Sequence, residues 1–243
     1  MTEQTKSHGI LILEGMTVGV LDGDLTVSID NSGSVNAQAI ISTTYNVLPI
    51  WLRIAYDNLE ATKHASDDIK ANWSENTELQ TSLLLAELMP CMQVFVSCCI
   101  ALDAIFAQLK PFAKIDTDIL TAWQNNKTGR AAQIAETFQR VYKLNPEQLK
   151  AFKVNLTSIF QYRNWAVHPS HHIQQTKTRP DIPVGVDWRF SAFRYSNAII
   201  CYTNTMNMLV HLYYKKSGVA KVDENMENIF KRLRELKLVK VKK

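Results

Sequence analysis

The sequence predicts a mainly α protein, an antiparallel helical bundle with a small N-terminal β meander, and three observations predict it. Eight Gly and seven Pro in 243 residues are few for an all-β fold, which needs many tight turns. From Ile50 onward, apolar residues recur at alternating steps of three and four, the period of an amphipathic helix. Before Ser34 the pattern differs: short β-branched runs are separated by Glu14-Gly15 and Asp22-Gly23.

In the N-terminal segment the runs are Gly9–Leu13, Thr17–Leu21 and Leu25–Ile29. Asp22-Gly23 between the last two is a hairpin signal, because both residues tolerate positive φ. A meander of this size cannot stand alone, so residues 1–34 are expected to pack on a bundle formed by residues 35–243. Ser34 is placed to cap a first helix over Val35 to Val47, although Ile41-Ser-Thr-Thr-Tyr45 has strand propensity. Pro49 interrupts, and a helix resumes over Ile50 to Ala71 with Trp51, Leu52, Ala55 and Leu59 on one face.

Thr77 to Lys110 reads as a long core helix, kinked near Pro90, with the stripe Leu88, Cys91, Phe95, Cys99, Leu102, Phe106, Leu109. Lys127 to Leu144 follows, with Ala131, Ile134, Phe138 and Val141 on one side. Asn145-Pro146-Glu147-Gln148 supplies an N-cap, a proline at the first helical position and a capping-box glutamine. The helix it opens carries Leu149, Phe152, Leu156, Ile159 and Phe160, and ends near Ala166. A polar loop containing Pro169, Pro180 and Pro183 leads to a helix over Trp188 to Tyr214. Gly218 ends that helix, and Asp223 caps a last one striped by Met226, Ile229, Phe230, Leu233 and Leu236.

The apolar share of 46% and charged share of 21% are those of a globular chain and exclude disorder. No apolar run reaches membrane-span length, and the N-terminus lacks a signal peptide's apolar stretch. Cys91, Cys98, Cys99 and Cys201 form no Cys-x-x-Cys and read as small buried hydrophobes in a reducing cytoplasm. The net charge of +4 is unevenly placed: seven basic residues face one acid from Lys231 onward. From Arg163 to Arg194, five basic residues and three histidines face two acids, Asp181 and Asp187. Such asymmetry suits a polyanionic partner without requiring one, and the C-terminal charges also fit a solvated tail.

No phosphate-cradling Gly-rich loop, G-x-S-x-G or H-E-x-x-H is present. The segment that can carry chemistry is Gln161-Tyr162-Arg163-Asn164-Trp165-Ala166-Val167-His168-Pro169-Ser170. Arg163 falls on the buried face defined by Leu156, Ile159 and Phe160, where a guanidinium needs an anion, either a structural carboxylate or a bound phosphate. Pro169 disfavours α geometry at His168, so the helix should stop there and the imidazole swing off its end. A structural pair at a helix C-terminus is the other reading of these two cations.

With four residues between Arg163 and His168, this segment resembles the Arg-x4–6-His motif of the HEPN superfamily, helical-bundle domains that include many metal-independent ribonucleases. The resemblance implies a cytoplasmic homodimer with motifs facing across a basic cleft, RNA as substrate, and no cofactor or metal. It implies His168 as general acid or base toward the RNA 2′-hydroxyl, Arg163 on the scissile phosphate, and Asn164 as an orienting group. Substrate contacts are expected from Tyr162, His171, His172 and Arg179, and Asp103 is a candidate orienting acid. It also suggests a toxin or antiviral effector restrained by an antitoxin or regulatory protein. A non-catalytic HEPN-like binding or adaptor domain is the alternative.

Other features admit two readings each. His168, His171 and His172 are three imidazoles within five residues, but no cysteine or acid stands near enough in sequence to complete a zinc site. Trp188-Arg-Phe190 and Phe193-Arg-Tyr195 suit base stacking or the buried start of a helix, and core is the expectation for Phe193 and Tyr195. Tyr162 likewise suits core or a stacking platform.

Overall fold

The computed structural model describes residues 10–13, 15–168 and 173–240. The chain divides into two units, Met1–Asn46 and Val47–Lys243.

The first unit is built from β1 (Met16–Gly19), β2 (Leu25–Ile29), β3 (Val35–Ala39) and β4 (Ser42–Tyr45). Its strands nest: β2 pairs antiparallel with β3, and β1 with β4. The helix expected from Ser34 to Val47 is therefore absent, and the meander extends twelve residues further than expected (46 against 34). Strand propensity wins here because the segment from Val35 finds a partner in register, Leu25 opposite Ala39 through Ile29 opposite Val35. The tight hairpin also moves. Asp22-Gly23 makes only a connecting turn, whereas the reversal lies at Asp30–Ser34. There the Asp30 carboxylate accepts the amides of Ser32 and Ser34, and Gly33 takes φ 82°.

The second unit is mainly α. It comprises α1 (Leu48–Asn72), α2 (Thr77–Leu109), α3 (Thr117–Asn125), α4 (Arg130–Tyr142), α5 (Pro146–Val167), α6 (Trp188–Ala192), α7 (Tyr195–Lys215) and α8 (Ala220–Glu235). A short hairpin, β5 (Lys177–Arg179) and β6 (Ile182–Val186), stands between α5 and α6. Pro49 lies in the first turn of α1, where its missing N–H costs nothing, so it starts that helix instead of interrupting it.

α2 is the central element, packed by α1, α4, α5 and α7. By length and composition alone the helical stretch Thr77–Phe112 would suffice to cross a membrane. In this fold it supplies the core instead, with Val94, Phe95, Cys98, Leu102 and Ile105 essentially inaccessible. Leu52, Phe138, Leu156, Leu209 and Phe230 meet them from the surrounding helices. Burial of each such side chain contributes about 1.5–3 kcal/mol. The four cysteines are free and buried, and burial pushes the Cys91, Cys99 and Cys201 thiols up.

A second, smaller apolar cluster joins Ile69 and Leu84 to Ile182 and Val186, and seats the β5–β6 hairpin on the α1–α2 pair. The helix expected over Trp188 to Tyr214 is broken at Phe193-Arg194. The carboxylate of Glu87, from α2, accepts the Tyr195 amide at 2.9 Å and so starts α7 afresh.

Candidate functional site

α5 positions the site. Asn145 Oδ1 accepts the Gln148 amide at 2.9 Å and Gln148 Oε1 accepts the Asn145 amide at 3.1 Å, the reciprocal capping read from the sequence. Twenty-two residues later the helix ends at Val167. His168 is extended at φ −111° and ψ 115°, and its amide still donates to Asn164 O. Proline at 169 accounts for the stop.

Arg163, Asn164 and Asp103 come together. They line an open cleft of about 790 Å³ between α2, α4 and the end of α5, together with Arg130, Thr157 and Phe160. Arg163 Nη1 donates to Asn164 Oδ1 at 3.1 Å, and among the described residues Arg163 makes no ion pair. Arg130 is held more firmly: its Nε lies 3.1 Å from Asp103 Oδ1, its Nη1 donates to Gln133 Oε1, and its guanidinium sits 4.8 Å above the Phe106 ring. Burial raises the Asp103 carboxyl above the ordinary range, against the pull of the Arg130 and Arg163 charges. Two guanidiniums against one carboxylate leave the cleft suited to an anion.

His168 is exposed and does not line this cleft. His171 and His172 lie outside the described residues. Tyr162 faces the other way around α5. It stacks on Phe95 with ring centres 4.5 Å apart and planes at 7°, and meets Trp165 edge-on at 4.9 Å. Burial raises its hydroxyl pKa.

Arg179 does not reach either the Arg163 cleft or solvent. Its side chain is about 1% exposed, forked onto Asp181 through Nε (3.0 Å) and Nη2 (2.6 Å), and paired with Glu87 Oε2 at 2.8 Å. Its Nη1 donates to Phe190 O. The expectation of a substrate contact is corrected: carboxylates on α2 and in the hairpin turn bury this guanidinium and use it as the hairpin's anchor.

A second cleft, of about 530 Å³, lies on the opposite side of Trp165. Tyr162, Trp165, Trp188, Lys177, Arg194 and Asn197 wall it. Sequence reasoning missed Arg130, Lys177 and Arg194 as site residues. Arg194 and Trp188 did fall in the aromatic–arginine runs, whereas nothing local marks Arg130, whose partner Asp103 comes from another helix. Phe193 is buried, as expected for core, and Tyr195 packs against the core. Among the described residues no group of three or more His, Cys, Asp or Glu side chains is arranged to hold a metal. No family model, curated protein or solved structure matches the chain.

Proposed function

We propose that this chain is a metal-independent endoribonuclease of the HEPN type, cytoplasmic and active as a homodimer. One observation carries the reading. The arginine of the motif stands half-buried in the wall of an open cleft, held by a neutral amide and by no carboxylate among the described residues. A guanidinium so placed offers its remaining N–H groups to a phosphate.

In this reading a histidine takes the proton of an RNA 2′-hydroxyl as its oxygen attacks the adjacent phosphorus. The 5′-oxygen leaves with a proton supplied by a second acid, giving 2′,3′-cyclic phosphate and 5′-hydroxyl ends. Arg163 stabilises the charge that builds on the non-bridging oxygens, and Asn164 fixes the plane of the guanidinium. Because His168 does not line the cleft of its own chain, we assign the imidazole that acts on each phosphate to the second copy.

The test is cleavage of mixed RNA in EDTA by wild type, Arg163→Ala and His168→Ala. Activity lost in both variants, with folding unchanged, supports the enzyme. Activity partly regained on mixing the two variants supports a site shared between copies. No cleavage in any sample ends this reading and favours a non-catalytic helical binding domain. The exposure of His168 outside the cleft is the observation that speaks for that alternative.

A further inference from the structure

We propose that the cleft behind Trp165 is a nucleobase subsite for single-stranded RNA, in which a base stacks against Trp165 and Trp188 while Lys177 and Arg194 take its phosphate. The inference rests on the RNA reading above and adds how the strand is held beside the phosphate-binding cleft.

The cleft's walls select the ligand class. Trp165 and Trp188 meet edge to face with ring centres 5.5 Å apart, and the Arg189 guanidinium lies 4.8 Å over the Trp188 ring, a cation–π stack that a base would join from the other face. Trp165 is 36% exposed although it stands beside an apolar core, and Tyr162, stacked on Phe95, backs it from below. The two ionic side chains in the lining, Lys177 and Arg194, are both cations; Arg194 Nη1 also stands 4.0 Å from Asp181 Oδ1, outside the lining. An aromatic ring that carries negative charge satisfies both features, and a nucleotide is that ligand.

Polar groups suited to a base edge are also present. Trp188 Nε1 and Arg194 Nε are buried and have no hydrogen-bond partner among the described residues. Asn197 gives its amide nitrogen to Ala192 O at 2.8 Å, which leaves the carbonyl oxygen as an acceptor for a base N–H. The cleft's volume of about 530 Å³ falls in the range of small-ligand sites. Because Trp165 lines both clefts, a strand can place a base in one and the neighbouring phosphate against Arg163 in the other.

The experiment is fluorescence anisotropy with a short, labelled, fully 2′-O-methyl RNA, which lacks the attacking hydroxyl and cannot be cut. Wild type is compared with Trp188→Leu, Trp188→Phe and Lys177→Ala, each checked for folding by circular dichroism. Binding weakened about fivefold or more in Trp188→Leu and Lys177→Ala, but nearly kept in Trp188→Phe, is the result expected. Unchanged affinity in both Lys177→Ala and Trp188→Leu overturns the subsite. Should Trp188→Leu fail to fold, Lys177→Ala decides alone, unchanged affinity there overturning the subsite, because Lys177 is exposed on β5. The two proposals fail separately. Trp188-dependent binding without cleavage of ordinary RNA removes the nuclease and keeps the subsite. Cleavage with a base preference untouched in Trp188→Leu does the reverse.

Discussion

Glu87 and Arg179, ninety-two positions apart, meet at 2.8 Å with both side chains about 1% exposed. The other oxygen of Glu87 accepts the amide that opens α7. One carboxylate thus ties the β5–β6 hairpin and the start of a core helix to α2. Removing Arg179 leaves Glu87 charged and unpaired, at a cost of about 3–5 kcal/mol, whereas removing the Glu87 charge leaves Arg179 paired with Asp181 and costs less. Arg179→Met should lower the unfolding free energy from urea titration by that order and Glu87→Gln by less, while the double variant recovers part of the loss. Additive losses in the double-mutant cycle would show that the pair is not the cause.

Asp181 sets an acid limb on stability. The hydrogen bond from Arg179 and the charges of Arg179 and Arg194 outweigh burial and hold its carboxyl below the ordinary range. A carboxylate whose pKa is depressed in the fold contributes stability that is complete above its unfolded value, near 3.9, and is lost as pH falls through the lower native value. Asp103 has the opposite sign, since its raised pKa makes protonation favour the fold. Unfolding followed from pH 6 to pH 2 should therefore steepen below about pH 4 in wild type. It should flatten there in Asp181→Asn.

Lys143 ends α4 in the left-handed region, at φ 50° and ψ 52°. A side chain with a Cβ is disfavoured in that conformation, which glycine adopts freely. Lys143→Gly should stabilise the protein by about 0.5–1 kcal/mol, read as a higher urea midpoint with an unchanged slope. A lower midpoint would mean that the lysine stem contributes packing greater than the backbone strain.

Asn164→Asp places a carboxylate where the amide oxygen now accepts from Arg163 at 3.1 Å. The near-isosteric change leaves packing intact but neutralises the guanidinium as a phosphate receptor. If the nuclease reading holds, RNA cleavage should fall at least about tenfold with little change in melting temperature, a loss of about 1.4 kcal/mol in transition-state stabilisation. Retained cleavage would separate Arg163 from the chemistry.

Asn145→Ala should cost about 1 kcal/mol, because it removes one half of a reciprocal cap. The cap also sets the N-terminal end of the helix that carries Arg163. A thermal shift smaller than that of an exposed alanine substitution on α5, such as Lys153→Ala, would show that Pro146 alone fixes the helix start.

The helices with regular apolar stripes were legible in the sequence because periodicity and capping are local signals. Phe152, Leu156 and Ile159 are buried on the face that their spacing assigns. The helix stop at His168 was legible for the same reason. The features that escaped depend on distant partners. No glycine or proline marks the break before Tyr195, because the group that caps α7 comes from α2. Pro180 and Pro183 made the β5–β6 region read as loop, although Pro180 sits in its turn and the register shift beside Arg179 accommodates the irregularity. α3 is a nine-residue helix with one buried residue, Trp123, too little apolar stripe to recognise. Arg179 looked like a ligand because sequence cannot say which acid across the fold a guanidinium will find.

Trp165 is common to the walls of both recesses. A substitution there touches both at once, so it cannot be used to dissect them; the residues that each recess does not share must serve instead.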